Sequence, residues 1–168
     1  MSKKIKNKII LITGLPGSGK TSLANKLKPK ISKILGSTIV INGDDIRNIF
    51  NLKNYSMEER LKLDLPYLKL ANFILSQGVA VILTSVSIAD EVRSKFKKNN
   101  KILFVHINST LKSRQKFKKR IYSKKIDVPG KNQLIKKPHI VDIFIKNTGD
   151  DDLETVSKNM WLKILKFL

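Results

Sequence analysis

The chain contains no cysteine, which excludes disulfides and thiolate metal sites and agrees with a reducing compartment. It also has no hydrophobic run of membrane-spanning length. The start, MSKKIKNKIILIT, puts a basic patch before an apolar run of five residues at most, Ile9 to Thr13, which leads straight into glycines without a small-residue cleavage site. It reads as a first buried strand, and the expectation is a soluble, cytoplasmic protein with no membrane partner. Aromatic residues are few, 7%, and are not interleaved with the basic ones, and no RNA- or DNA-binding signature is present. Acidic residues are scarce as well: 13 Asp plus Glu stand against 34 Lys plus Arg, for a formal charge of +21. Such an excess attracts polyanions. Here it is spread through KKIKNK, KPKISK, KFKKNNK and KFKKRIYSKK, is carried mostly by lysine, and accompanies abundant Ile and Asn. That is the pattern of a compositional bias, and no nucleic-acid partner is expected.

A length of 168 residues with 41% hydrophobic content suffices for one core, so a single domain over 1–168 is expected. Apolar runs of strand type recur at Lys8–Thr13, Thr38–Asn42, Val79–Val86, Ile102–Asn108 and Val141–Ile145, with helix-like segments between them. Near-continuous apolar strands alternating with helices predict a doubly wound α/β domain with a five-stranded parallel sheet covered on both faces. The first helix should span Lys20–Leu35, bent or broken at Pro29. Ser56 and Glu59 form a capping box opening a second helix that Pro66 should kink. Further helices are expected over Ala89–Lys98, over a basic Leu111–Tyr122, and from Asp151 to the end. The tract Lys124–Pro138 is polar and linker-like.

The strongest local signal is ITGLPGSGKTS, in which Gly14, four residues, then Gly19-Lys20-Thr21 follow an apolar strand and open a helix. This is a phosphate-binding loop in its proper context. Gly14, Pro16, Gly17, Ser18, Gly19, Lys20, Thr21 and Ser22 would wrap a nucleotide's phosphates with backbone N–H groups and the helix N-terminus. Lys20 would reach the β- and γ-phosphates of ATP, and the Thr21 hydroxyl would ligate Mg²⁺. A second signal is INGDDIRNIF, just after the second strand, where sheet ligands bind. Asp44 there could orient a hydroxyl, accept its proton or simply cap the following helix. Arg47 could pair with an acceptor phosphate. Ser85 and Ser87, at the end of the third strand, could touch substrate or be ordinary strand-end hydroxyls. His106, inside an apolar strand, and His139, after a proline, carry no ligand spacing, and Trp161 falls at core spacing.

Taken together, GLPGSGKTSLA, INGDDIR and YSMEER resemble the adenylylsulfate kinase family, with its patterns close to GLSGAGKST, LDGDNVR and FSxxDR. VAVILTSVS, IYSKK and KKPHIVDIFIKN continue the resemblance in order along most of the chain. It implies a P-loop kinase fold and transfer of the ATP γ-phosphate to the ribose 3′-hydroxyl of adenylylsulfate, a small-molecule nucleotide partner. It also implies Asp44 at the acceptor hydroxyl, Arg47 and Arg60 on the acceptor phosphate, and Tyr55 near the acceptor base. A basic lid at about 114–138 would close through Lys118, Lys119 or Arg120; Lys119 is carried forward as the substrate contact. Relatives of this kind often pair, so a homodimer is an open expectation.

The departures lie in the acceptor half. Asn42 and Asp45 stand where the family has Asp and Asn, Leu63 replaces an asparagine that contacts adenylylsulfate, Leu65 and Pro66 replace basic residues, and Ser87-Ile88-Ala89 replaces Ile-Ser-Pro. Relatives in bacterial capsule pathways that phosphorylate cytidine diphosphoramidate are therefore an alternative. A polynucleotide-end kinase and a non-catalytic ATP-binding module are further ones.

Overall fold

The computed structural model describes residues 8–52, 55–97, 101–123 and 128–168. Five strands, β1 (Ile9–Thr13), β2 (Thr38–Asn42), β3 (Ala80–Ser85), β4 (Ile102–Asn108) and β5 (Ile143–Lys146), form one sheet in the order β2-β3-β1-β4-β5. Every pairing is parallel, with Ile9 opposite both Val81 and Ile102. Side chains alternate across a pleated strand, so β1 feeds two cores. Ile10 and Ile12 pack under α1 (Lys20–Leu35) and α7 (Leu153–Leu165) with Leu23, Leu27, Ile31 and Met160. Ile9 and Leu11 face α3 (Met57–Ser76) with Leu68, Ala71, Leu83 and Phe104. The doubly wound fold is thus as the runs of apolar residues predict, and the crossovers from β1 to β2 and from β3 to β4 leave in opposite directions, which opens a crevice at the carboxyl ends of the strands.

Several local expectations are corrected, the break at Pro29 among them: α1 is continuous there, and α3 continues as one helix past Pro66. Pro29 and Asn25 are both exposed, so the carbonyl that loses its partner faces water rather than the core. The basic segment is two helices, α5 (Leu111–Phe117) and α6 (Lys119–Tyr122), because Lys118 leaves helical geometry with φ −136° and ψ 43°. Helix α2 (Gly43–Ile49) starts earlier than the cap reading of Asp44 requires: Asn42 is its N-cap and Asp44 lies in the first turn. β5 is an edge strand, and its residues alternate between buried and exposed instead of being buried on both faces. The Ser56 cap is as expected, its hydroxyl accepting from Glu59 N at 3.3 Å.

Under the crevice lies Arg93 of α4 (Asp90–Lys97), a fully buried arginine. Its Nε donates to Ile88 O (2.8 Å), Nη1 to Ile140 O (3.0 Å) and Nη2 to Thr13 Oγ1 (2.9 Å), while the guanidinium lies over the Phe104 ring at 5.3 Å. Thr13 Oγ1 is also 3.0 Å from His106 Nδ1. His106 is only half-buried, and its placement lowers its pKa to about 4 through burial, then the charges of Arg93, Lys137 and Lys20. One side chain thereby ties α4, the chain at Ile140 before β5 and the end of β1 just before the phosphate loop. Arg93→Leu strands these three acceptors, and we expect a stability loss of roughly 3 kcal/mol, read by denaturant unfolding; a loss under about 1 kcal/mol would show the tie to be dispensable.

Candidate functional site

The loop between β1 and α1 is shaped by what surrounds it. Gly14 N donates to Val86 O at 3.2 Å, Asn147 Nδ2 to Ser18 O at 3.0 Å, and Tyr122 Oη to Pro16 O at 2.7 Å. Gly17 has φ +80°, and a Cβ there would meet Arg114 O at 2.7 Å; Gly19, the N-cap of α1 with φ +91°, would meet Asn147 Nδ2 at 2.8 Å. Both positions therefore require glycine for conformation and for space. Ser18 is buried and its hydroxyl has no hydrogen-bond partner. An orphaned hydroxyl inside a loop whose glycines admit no side chain fits a cradle for phosphate oxygens.

A cavity of about 1130 Å³ opens above this loop. Pro16, Gly17, Gly19, Lys20, Thr21 and Ser22 line one side, and Asn42, Asp44, Tyr55, Arg60 and Ser85 another. Lys20 Nζ donates to Leu15 O at 3.1 Å. Burial lowers the Lys20 pKa to about 8; Asp44 opposes the shift, and Lys118 and Arg60 add to it. Of the basic stretch, Lys118 lines the cavity, whereas Lys119 and Arg120 do not. The break at Lys118 explains this, since it turns the helix axis and with it the side chains that follow.

Of the residues that the resemblance assigns to the acceptor, Asp44, Arg47 and Arg60 meet at a smaller cavity of about 30 Å³, lined also by Leu63, Asp64, Tyr67 and Ser85 to Ser87, whereas Tyr55 lines the larger one. The Arg47 and Arg60 guanidiniums lie 4.9 and 5.7 Å from the centre of the Tyr55 ring. Arg60 Nε is buried without a hydrogen-bond partner. Tyr67 Oη donates to Gly43 O at 3.1 Å and fixes the start of α2. Asn42 Nδ2 donates to Asp45 Oδ2 at 2.7 Å, and Asn42 Oδ1 accepts from Thr84 Oγ1 at 3.0 Å. Asn42 and Asp45, where the two residue types stand exchanged relative to the family pattern, are thus bonded to each other.

Sequence reasoning missed four residues. Asp64, a buried carboxylate on the apolar face of α3, accepts from Ala89 N at 2.7 Å, and burial pushes its pKa up to about 6. A lone acid among Tyr67, Leu68 and Ala71 was the available signal. Tyr122 accepts from Arg114 Nε at 2.9 Å, so the start of the basic segment braces the loop instead of closing over it. Asn147, at the end of β5, and Gln133, whose Nε2 donates to Tyr55 O at 3.1 Å, gave no signal of their own. Within the 114–138 segment, 124–127 lie outside the described residues.

Comparison with known proteins follows the same outline. The profile of the family described as adenylylsulphate kinase matches residues 6–146. A cytidine diphosphoramidate kinase of Campylobacter jejuni is 30% identical over 87% of this chain and 89% of its own. An adenylyl-sulfate kinase of Prochlorococcus marinus is 36% identical over 55% of this chain and 47% of its own. Among solved structures, the Mycobacterium tuberculosis APS kinase in complex with AMPPNP and APS superposes with a TM-score of 0.79, at 21% identity, over 95% of this chain and 98% of that one. The chain belongs to the adenylylsulfate kinase family and is a nucleotide kinase with the P-loop kinase fold. No helix among the described residues is long and apolar enough to cross a membrane.

Because Lys20 titrates near pH 8 without ligand, part of the population is neutral there, and a bound polyphosphate restores the ammonium. Nucleotide binding at pH 8 should therefore take up protons, seen as a dependence of the binding enthalpy on the ionisation enthalpy of the buffer. Lys20→Arg, charged throughout, should lose that dependence; equal uptake by both proteins would place the proton elsewhere.

Proposed function

We propose that this member of the adenylylsulfate kinase family transfers the γ-phosphate of ATP to the ribose 3′-hydroxyl of a nucleotide, and that the acceptor is of the cytidine diphosphoramidate type. The observation that carries the transfer reaction is that Lys20, Thr21, Asp44 and Arg60 line one cavity, with the phosphate loop on one wall and an arginine-rich pocket on the other. Backbone N–H groups of the loop and Lys20 hold the β- and γ-phosphates. Asp44 orients the acceptor hydroxyl and takes its proton as the oxygen attacks the γ-phosphorus and the bond to the bridging oxygen of ADP breaks. Arg47 and Arg60 hold the acceptor phosphate, Tyr55 lies beside its nucleoside, and Lys118, rather than Lys119, approaches the transferring group from the 114–138 lid. Catalysis of this kind rests on positioning and on stabilisation of developing charge.

Mg²⁺ supplies charge neutralisation at the phosphates when bound. The Thr21 hydroxyl on the cavity wall, with Asp44 across from it, fits an ion that keeps several waters and enters with the triphosphate. Adenylylsulfate is the second reading, favoured by the family match over 6–146. The first is preferred because the Campylobacter relative aligns over nearly its whole length, and because Leu63, where the family pattern has a polar residue, lines the small cavity.

An ADP-release assay with Mg-ATP and a panel of cytidine diphosphoramidate, adenylylsulfate and a short oligonucleotide tests the reading. Turnover with the first alone supports it, with the second alone selects the second reading, and with neither overturns both. With the accepted nucleotide, Lys20→Ala should abolish turnover. Asp44→Asn should lower kcat about 100-fold or more while ATP still binds; near-normal turnover refutes its assigned role. Arg60→Ala should raise the KM of the acceptor far more than that of ATP.

A further inference from the structure

The small cavity behind Arg47 and Arg60 has a floor that the transfer reaction leaves unexplained. If the acceptor hydroxyl sits at Asp44 and the acceptor phosphate at the two arginines, the group beyond that phosphate falls against Leu63 and Asp64 and the Ser85–Ser87 turn. The space, about 30 Å³, holds one or two heavy atoms, enough for the terminal amino group or oxygen and not for the whole terminal phosphoryl. Leu63 offers that group no hydrogen bond. Asp64 is 3% exposed, lies one helical turn from Arg60 on α3, and spends one acceptor site of Oδ2 on Ala89 N. An ionised carboxylate has about four such sites and no donor, so what remains of Asp64 can only accept.

Adenylylsulfate and cytidine diphosphoramidate carry the same charge on their paired phosphoryl or sulfuryl groups, so net charge cannot separate them. They differ in their terminal atoms. A sulfate end presents oxygens alone, whereas a phosphoramidate end presents an amino group with two N–H donors. Oxygens set against Asp64 meet a like charge with nothing to donate, which costs more than an absent contact because both groups are desolvated. An amino group in the same place completes a charge-assisted hydrogen bond.

We infer that Asp64 is a specificity-determining residue of the acceptor site, which accepts a hydrogen bond from an N–H group on the terminal phosphoryl of the acceptor nucleotide and rejects acceptors ending in oxygen alone. The inference rests on the proposed nucleotide 3′-hydroxyl transfer and deepens it by naming the terminal group. It concerns a residue that the kinase motifs do not include. Burial keeps the Asp64 pKa near 6 despite Arg93 and Arg60, so the carboxylate is ionised at neutral pH.

The test compares cytidine diphosphoramidate with CDP, which replaces the terminal amino group with oxygen but adds a negative charge near neutral pH, and with the analogue that has a terminal methyl in place of the amino group, which keeps the charge and shape and lacks the N–H donors. Wild-type enzyme should favour the amide in kcat/KM. Asp64→Asn keeps an oxygen for Ala89 N and turns an N–H donor toward the cavity, so the ratio of the amide to either should fall by roughly 10–100-fold, mainly through KM. Leu63→Asn, on the same wall, should raise turnover of CDP while Asp64 is retained, and thermal melting of both variants checks folding. An amide-to-methyl ratio that stays as in wild type in folded Asp64→Asn overturns the inference and leaves the kinase reading standing. A wild-type enzyme that turns over adenylylsulfate and neither cytidine nucleotide overturns the inference together with the preferred acceptor.

Discussion

Four backbone N–H groups at the start of α1 have no partner within the helix, and the loop before it must aim them inward with no side chain in the way. The rest of the architecture serves that constraint. β1 is the central strand, flanked by β3 and β4, so the loop leaves the most rigid line of the sheet. Its flanks are then braced by groups from four different parts of the chain: Val86 after β3, Tyr122 on α6, Asn147 after β5, and Arg93 through Thr13. Each brace lands on a backbone atom of the loop or on the residue immediately before it. The geometry that receives phosphate is therefore set by backbone positions that tolerate changes elsewhere and no Cβ at Gly17 or Gly19.

The acceptor side follows the opposite rule. There the pocket is mostly side chains on α2 and α3, Asp44, Arg47, Arg60, Leu63, Asp64 and Tyr67, closed by the Ser85–Ser87 turn. Side chains on a helix can change one at a time without moving the helix, so a family can keep its donor chemistry and exchange its acceptor. The departures of this chain fall there. Asn42 and Asp45, two of those departures, bond to each other at 2.7 Å.

This division also explains what could be read in the residues. The sheet and its parallel order were legible because apolar runs of five or so residues separated by helices admit few other arrangements, and the loop was legible because glycine spacing, a lysine and a threonine occur together for one physical reason. The continuity of α1 through Pro29 was not, since whether a lost hydrogen bond faces water or core is a property of the tertiary structure. The helix break at Lys118 was likewise hidden, and with it the fact that Lys118 rather than Lys119 lines the cavity, because a run of basic residues has no apolar period to fix its phase. Asp64 and Arg93 escaped for another reason. Their roles depend on partners 25 and 80 residues away, Ala89 and Thr13, which no local pattern links.

The charge of the chain can be reconsidered in the same terms. It has five arginines among its 34 basic residues. Arg47, Arg93 and Arg114 are buried, Arg60 is partly buried on the cavity wall, and Arg120 is exposed. A guanidinium is weakly hydrated, planar and rich in donors, which suits it to satisfying several carbonyls or a phosphate out of water, whereas an ammonium loses more on burial. Lysines accordingly fill the exposed faces, where their charge is screened and contributes to solubility rather than to any one contact. Lys20 departs from that division. It is the lysine whose ammonium is held among other charges in the cavity, and its pKa near 8 is the measure of how poorly it is solvated there. A bound phosphate would supply the solvation it lacks, so part of the binding energy for nucleotide would come from relieving that poor solvation.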